Sequence, residues 1–391
     1  MPPLGAILWG VCCAVPALDA LGRLARLTGP GAGPAEPASP PRRLVVLVPA
    51  RGEGERLLDV VGDLARERAS GGPELDAVVI FDGGDPEAEA RVREAGLTAL
   101  VKEPAGPSKG AALAFAAARL GERIASSSFV VVLDADTRLP AGWLGALSVP
   151  AGTDVFQLPV RAAGVPPSGA ARVEAFSLAT ATRVEDAVRD ARGWPVRLRG
   201  KAMGFSPAAW SAGPARGART LVEDSEATLA LVARGFRIRA LTAPIAFEAP
   251  AADTGALSRP RARWFAGHLH LLAVGLPDLA AAFRRSPLGT ATLAADLFLR
   301  PRALVLAFLA ASAGAALVVM ARGARWAAPP LVIATLGLAC EALYARAARR
   351  RLGISDELPR VTLGDLASTA FVWLRAIGLA LRAPGRWHRA R

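Results

Sequence analysis

Two aspartates close the run Val130-Val131-Val132-Leu133-Asp134-Ala135-Asp136. Carboxylates two residues apart, just past a buried strand, can share a divalent cation with a ligand's phosphates. Carboxylate and phosphate oxygens are the ordinary shell of Mg2+ or Mn2+. Alone, an Asp-x-Asp is as readily a solvated loop, so its place after a strand is what points to chemistry. A second acidic pair, Glu223-Asp224, precedes a helical pattern through Leu229 and Val232 to Gly235. Acidic residues there often only complement the helix dipole. The functional alternative is a general base that takes the proton from an attacking hydroxyl. A third group is Arg259-Pro260-Arg261-Ala262-Arg263-Trp264, with Gly267, His268 and His270 after it. Cations beside an indole can hold a diphosphate and stack on a ring. They equally suit a basic segment facing a membrane, and both readings can hold. His268 and His270 are two apart and would not share a helix face, which argues against a metal pair. Gly106-Pro107-Ser108-Lys109-Gly110-Ala111 lacks the spacing of a Walker loop and reads as a loop-to-helix start.

These residues need a scaffold, and residues 42–275 supply one. Leu44–Val48, Ala77–Phe81, Leu97–Val101 and Phe129–Leu133 are short apolar runs that read as strands. Between them, 53–68, 87–95 and 108–120 carry helical spacing or helix-forming composition. Such alternation implies right-handed crossovers and a parallel sheet covered on both faces, an α/β fold. Ligands of these sheets bind beyond the carboxyl ends of the strands. Glu53, Asp82, Asp134 and Asp136 collect at those ends, which packing alone does not explain.

The rest of the chain is apolar. Of 391 residues, 52% are hydrophobic and 21% charged, with a mean hydropathy of +0.32. That excludes a disordered chain. It is too apolar for an ordinary soluble enzyme and too charged for a wholly membrane protein. Residues 4–18 carry no charge and no Lys or Arg precedes them, which reads as an uncleaved anchor over 1–27. Residues 28–41, rich in Gly, Pro and Ala, read as a linker. After 275, residues 276–302 read as an interfacial helix and 303–351 as a transmembrane hairpin. The final segment, 352–391, contains Leu363–Leu381 with Asp365 and Arg375 inside it. It reads as an interfacial or re-entrant helix with a basic tail, spanning being the alternative. Arg346, Arg349, Arg350 and Arg351 after the hairpin place that side, and the 42–275 domain, in the cytoplasm of a multi-pass cell-membrane protein. The formal charge of +13 suits nucleic acid, an anionic membrane face or a phosphorylated substrate. Three Cys exclude a disulfide framework and lack zinc spacing.

Taken in order, these motifs resemble the membrane-bound, cellulose-synthase-like glycosyltransferases of family 2. Val48-Pro49-Ala50-Arg51-Gly52-Glu53 is similar to the family's opening Pro-Ala-Arg-Asn-Glu, and Phe81-Asp82-Gly83-Gly84-Asp85 to its Asp-Asp-Gly-Ser. Ser108-Lys109-Gly110 resembles its Gly-Lys-Gly, Asp134-Ala135-Asp136 its Asp-x-Asp, and Glu223-Asp224 its Thr-Glu-Asp. Leu198–Phe205 resembles the acceptor-side Gly-x-Gly-Met-x-Phe segment, and Arg263-Trp264 the end of Gln-x-x-Arg-Trp. The resemblance implies a GT-A-like domain and inverting transfer of a sugar from a nucleotide diphosphate sugar, UDP-linked, to a lipid or membrane-proximal glycan hydroxyl. It implies Pro49, Glu53, Asp82, Lys109 and Asp134 on the nucleotide sugar, with Asp134 and Asp136 holding Mg2+ or Mn2+. It implies Asp224 as base, Arg263 and Trp264 in catalysis, and Glu223, Lys201 and Met203 on the acceptor side. Nucleic acid has no place in this scheme. Pro260 stands where the family has Gln, Lys201 where it often has Asn or Thr, and Gly84 near its usual Ser. The loss of the Gln points away from processive extension. A processive polysaccharide synthase and a non-enzymatic scaffold are the alternatives.

Overall fold

The computed structural model describes residues 4–28, 37–164, 166, 168–249, 257–299, 301–353 and 361–382. The run Leu44–Val48 is apolar at every position, so both of its faces need cover. It forms part of β1 (Arg43–Ala50). Leu44, Val46 and Val48 enter one core, while Val45 and Leu47 enter the other. The alternation continues through α2 (Glu55–Ala69), β2 (Glu74–Asp82), α3 (Pro86–Glu94), β3 (Thr98–Lys102), α4 (Lys109–Arg119) and β4 (Phe129–Val132). The preceding helix, α1, is Leu4–Thr28. Leu57, Val60, Val61 and Leu64 bury one stripe of α2. Each such side chain contributes about 1.5–3 kcal/mol. Asp85 and Ser108 cap α3 and α4 by accepting from the Ala88 and Ala111 amides.

β1 to β4 pair in parallel in the spatial order β3-β2-β1-β4. The chain runs outward from β1 to β3 and then returns to the free edge of β1. A crevice therefore opens beyond the carboxyl ends of β1 and β4. Then follow β5 (Val155–Gln157), α5 (Gly169–Thr180), β6 (Met203–Phe205), α6 (Glu223–Arg234) and β7 (Ile238–Ala240).

Here the sheet departs from the parallel expectation. β6 lies between β4 and β5, antiparallel to both, and β7 closes the edge parallel to β5. An antiparallel strand brings its first residue, not its last, to the ligand-binding edge. Met203 pairs with Val132, so the loop Gly200–Ala202 arrives beside the residues that follow β4.

Helices α7 (Ser258–Val274), α8 (Leu276–Arg285) and α9 (Pro287–Phe298) come next. The expected single interfacial helix over 276–302 is thus broken at Ser286, where Pro287 starts a new helix. Ala282, Leu293 and Leu297 are buried in the same core as β4. The chain ends in α10 (Arg302–Ala321), α11 (Ala328–Leu352) and α12 (Leu363–Arg382). Among the described residues, α1, α10, α12 and the segment ending in α11 are long and apolar enough to cross a membrane. α7 and α8, bent by 71°, would pass the same test as one broken span. Of the expected linker, 29–36 lies outside the described residues, and Ala38–Ser39 pairs with Val149–Pro150. The basic tail beyond 382 also lies outside them.

α1 runs along α11, and Gly337 permits the approach. A Cβ there would sit 3.1 Å from both Ala17 Cβ and Leu309 Cδ1. α12 lies against α5 and α7. Its Asp365, a charge in an apolar stretch, pairs with Arg172 of α5 at 2.6 Å. Leu8, Val11, Val332, Leu336, Phe371 and Leu374 remain exposed.

Candidate active site

A cavity of about 930 Å3 occupies the crevice beyond β1 and β4. Its first wall is the end of β1, with Pro49, Arg51 and Glu53. Asp82, at the end of β2, is almost fully buried. It accepts from the Gly106 amide at 2.7 Å and pairs with Lys102 at 3.3 Å and Arg51 at 3.4 Å. Arg51 also donates to the Gly106 carbonyl at 2.8 Å. The tip of β2 is thereby tied to the loop before α4, which faces the cavity through Ser108 and Lys109.

Lys109 is the centre of the site. Its ammonium pairs with Asp134, donates to the Gly200 carbonyl and stands 3.6 Å from Glu223. Burial opposes its charge, but attraction from Asp134 and Glu223 outweighs this and raises its pKa. Burial likewise opposes ionisation of Asp134, yet Lys109 and Lys201 hold its carboxyl below the ordinary value. Asp136 differs. Among the described residues it has no cation at ion-pairing distance. Burial and then the Asp134 charge push its carboxyl up. Burial, followed by Asp136 and Asp134, does the same to Glu53. The result is a cluster of carboxylates that repel one another, which a bound cation would relieve.

Glu223 and Asp224 open α6 rather than preceding it. Val222 stands at the N-cap and gives no side-chain cap, while Glu226 ties the preceding loop to the helix by accepting from the amides of Arg219 and Thr220. Asp224 Oδ1 accepts from the Ser225 amide at 2.7 Å, and the side chain lines the cavity. Burial first, then Asp224, raise the Glu223 pKa. Opposite them, Gly200 has φ 80°, and a Cβ on it would lie 3.6 Å from Asp224 Oδ2. Gln157 holds this loop, donating to the Lys201 carbonyl at 2.9 Å and accepting from the Arg199 amide at 2.9 Å. Lys201 pairs with Glu248 and lines the cavity. Burial opposes its charge, but Glu248, Asp134 and Asp136 raise its pKa.

The remaining wall is α7. The Arg263 guanidinium has a buried Nε without a hydrogen-bond partner, and its charge acts on Glu53 and Asp134. Trp264 is 38% exposed and lines the cavity. His268 Nδ1 lies 2.7 Å from the Trp264 carbonyl. A carbonyl only accepts, so Nδ1 carries the proton and Nε2 faces Arg197 at 3.2 Å. His268 is thus a hydrogen-bonded wall residue, and His270 does not line the cavity.

Pro49, Glu53, Asp82, Lys109, Asp134, Asp136, Lys201, Glu223, Asp224, Arg263 and Trp264 therefore share one cavity. Met203 does not reach it: the residue is buried in the sheet, paired with Val132 and Gln157. Glu174, Gln157 and Glu248 were not singled out from sequence. They belong to no motif and are brought in by tertiary packing. Arg51 lay in the Val48–Glu53 motif, where its position was the only signal.

Among the described residues no three His, Cys, Asp or Glu side chains converge as a cage for a metal ion. A cage is not required for Mg2+ or Mn2+, which take one or two carboxylates and complete their shell with phosphate oxygens and water. The uncompensated Asp136 beside Asp134 fits that mode.

A parallel sheet reversed at β1, an Asp-x-Asp after β4 and an acidic pair opening a helix across the crevice define a GT-A-like glycosyltransferase. Residues 40–267, more than half of the chain, match the family described as glycosyltransferase like family 2, and the chain belongs to that family. It is an enzyme rather than a scaffold. Among solved structures it is similar to the mannosyltransferase PcManGT from Pyrobaculum calidifontis, in complex with GDP-Man and Mn2+. That match has 19% identity, covers 90% of this chain and 99% of the other, and has a TM-score of 0.53. It is also similar to glucosyl-3-phosphoglycerate synthase from Mycobacterium tuberculosis, in complex with Mn2+, UDP and glucosyl-3-phosphoglycerate. There the identity is 20%, over 54% of this chain and 73% of the other, with a TM-score of 0.38. No curated protein matches the chain.

Proposed function

We propose that this enzyme transfers one sugar, with inversion, from a nucleotide diphosphate sugar to a hydroxyl of a lipid or membrane-proximal glycan. A UDP-linked donor is the specific expectation. The observation that carries the reading is the continuity of the cavity. One end is the carboxylate cluster, and the other is lined by Leu306, Leu338 and Leu366 of the candidate membrane helices. A polar donor and an apolar acceptor can then meet at one wall.

Pro49, Glu53, Asp82 and Lys109 would bind the nucleotide sugar. Asp134 and Asp136 would hold Mg2+ or Mn2+, which when bound neutralises charge on the leaving diphosphate. Asp224 would take the proton as the acceptor oxygen attacks the anomeric carbon. The bond from that carbon to the diphosphate breaks, and its electron pair leaves with the nucleotide. Arg263 would donate to the leaving diphosphate, its unused Nε being already desolvated. Trp264, Glu223 and Lys201 would shape the acceptor side, with Met203 supporting from within the sheet.

The exposed apolar faces of α1, α11 and α12 support a membrane setting, with the catalytic domain cytoplasmic. Pro260 and the small number of candidate spans favour single transfer over a polymer channel.

Asp224→Asn tests the assignment. UDP-glucose, UDP-galactose, UDP-N-acetylglucosamine and GDP-mannose, each labelled, would be incubated with the enzyme in vesicles. A base contributes about 10²- to 10⁴-fold, so the variant should bind nucleotide normally and lose transfer. Turnover within a few-fold of wild type would refute the role.

A further inference from the structure

Donor chemistry leaves half of the cavity unused. Beyond Trp264, Glu174 of α5, Arg261 of α7 and Trp373 of α12 meet at its wall. Arg261 is 3% exposed. Its Nη2 lies 3.4 Å from Glu174 Oε2, and its guanidinium carbon lies 5.4 Å from the Trp373 ring centroid. Nη1 is buried without a hydrogen-bond partner. A charged pair beside an indole thus faces the cavity with one strong donor unused.

Charge on this half is balanced. Arg23 pairs with Glu185 and Glu341, Arg302 with Asp19, and Arg199 with Asp186. Among the described residues, Arg56 and Arg263 line the cavity without an ion-pair partner. Both act on Glu53, at the opposite end. Beside Glu174, Arg261 and Trp373, a phosphate would meet no unpaired cation among the described residues. It would have to break an ion pair or sit beside Glu174, and a desolvated charge without a partner is strongly disfavoured.

Resting on the transfer reading above, we propose that the acceptor is an uncharged lipid whose headgroup carries the reacting hydroxyl, as a diacylglycerol or a neutral glycolipid does. Arg261 and Glu174 hold that headgroup between them. A guanidinium only donates and a carboxylate only accepts, so together they satisfy both sides of a hydroxyl. Trp373 packs against the headgroup's apolar edge. Leu269, Leu272 and Leu366 line the path for the chain. In the transfer, the lipid O–H loses its proton to Asp224. A bond forms from that oxygen to the anomeric carbon, and the electron pair of the cleaved bond leaves on the nucleotide diphosphate.

The test uses the full chain in phosphatidylcholine vesicles with labelled nucleotide sugar. The vesicles carry dioleoylglycerol, a monoglucosyl diacylglycerol or a long-chain isoprenyl phosphate. Extracted lipid is passed over an anion exchanger. Label should run through uncharged from the first two, at least about tenfold above the third. Retained label from the isoprenyl phosphate, with none from the neutral lipids, overturns this inference and leaves lipid transfer standing. No labelled lipid from any vesicle, with metal-dependent UDP binding intact, overturns the lipid reading as well. Glu174→Gln and Arg261→Gln should each raise KM for the neutral lipid about tenfold, the loss of one charge-assisted bond. The KM for the nucleotide sugar is the internal reference, and an equal rise in both would assign the pair to general structure instead.

Discussion

Arg23 offers a sharp test of how the helices of this protein are held to its catalytic domain. It sits in α1, yet its side chain is only 6% exposed. It pairs with Glu185 at 2.7 Å and with Glu341 at 2.8 Å. The Tyr344 ring centroid lies 3.7 Å from its guanidinium carbon, and the Tyr344 hydroxyl donates to Glu185 at 2.5 Å. Arg23→Met keeps most of the volume and removes the charge. Glu185 is then left buried with a tyrosine hydroxyl. Removing one partner of a buried pair costs about 3–5 kcal/mol, roughly two to four decades in the unfolding equilibrium. Glu185→Gln should cost less, because Arg23 keeps Glu341. The double variant should lie nearer wild type than the sum of the singles, with a coupling of about 1–3 kcal/mol. Denaturant unfolding in a mild detergent, followed by tryptophan fluorescence, would measure all three. A loss below about 1 kcal/mol for Arg23→Met is the size of a solvent-screened pair, and would refute the buried-network argument. The sign with pH also follows. Burial alone would raise the Glu185 carboxyl, but Arg23 outweighs it and holds the carboxyl well below the usual range. Its contribution is therefore full above the unfolded value near about 4.3 and is lost only as pH falls towards the depressed folded value.

Asp136→Ala should abolish metal-dependent UDP binding, since the uncompensated carboxylate is then gone; UDP titrations with and without Mn2+ that match wild type would sink the assignment. Arg263→Lys keeps the charge but loses the planar pair of donors, and should slow transfer roughly ten- to a hundred-fold, worth about 1.5–3 kcal/mol. Steady-state turnover checks this, a change under threefold counting against it. With Cys12, Cys13 and Cys340 replaced by Ser, a cysteine at Arg322 should react with an impermeant thiol reagent in intact cells and one at Arg350 should not. Equal labelling contradicts the hairpin.

The βα half of the fold was legible because each strand is a short apolar run and each helix a periodic one. Leu44–Val48 reads as a doubly covered strand, and it is one. β6 was not legible, since three residues carry no period and its direction is set by neighbours remote in sequence. The same blindness explains Met203. Read as part of a contiguous acceptor motif, it is turned into the sheet, and only the residues before it reach the cavity. That Asp134, Asp136 and Asp224 would line the cavity was readable because strand ends and helix starts border the crevice of such a sheet. Glu174 and Glu248 were not, since only the packing of α5 and the short strand Ala246–Glu248 against the core brings them near. Asp365 looked like an obstacle to membrane insertion, whereas its charge is matched by Arg172 across an interface no local pattern encodes.

The reversed strand β6 also sets where this scaffold can be re-engineered. Loops that leave parallel strands can lengthen without disturbing the strand behind them. The loop that enters β6 has less freedom, because Gln157 and Lys109 pin its Arg199 amide and its Lys201 and Gly200 carbonyls, so that a change of length there pulls on the frame of the strand. Facing Gly204, the Phe156 ring fills the space a side chain would need: a Cβ would lie 2.1 Å from its Cζ. Sliding the frame by one residue would drive Met203 or Phe205 into that ring and turn the wrong face to each core. Grafts intended to change acceptor choice are therefore best placed on α5, α7 and α12, with 198–205 kept at constant length as the key that locks the frame.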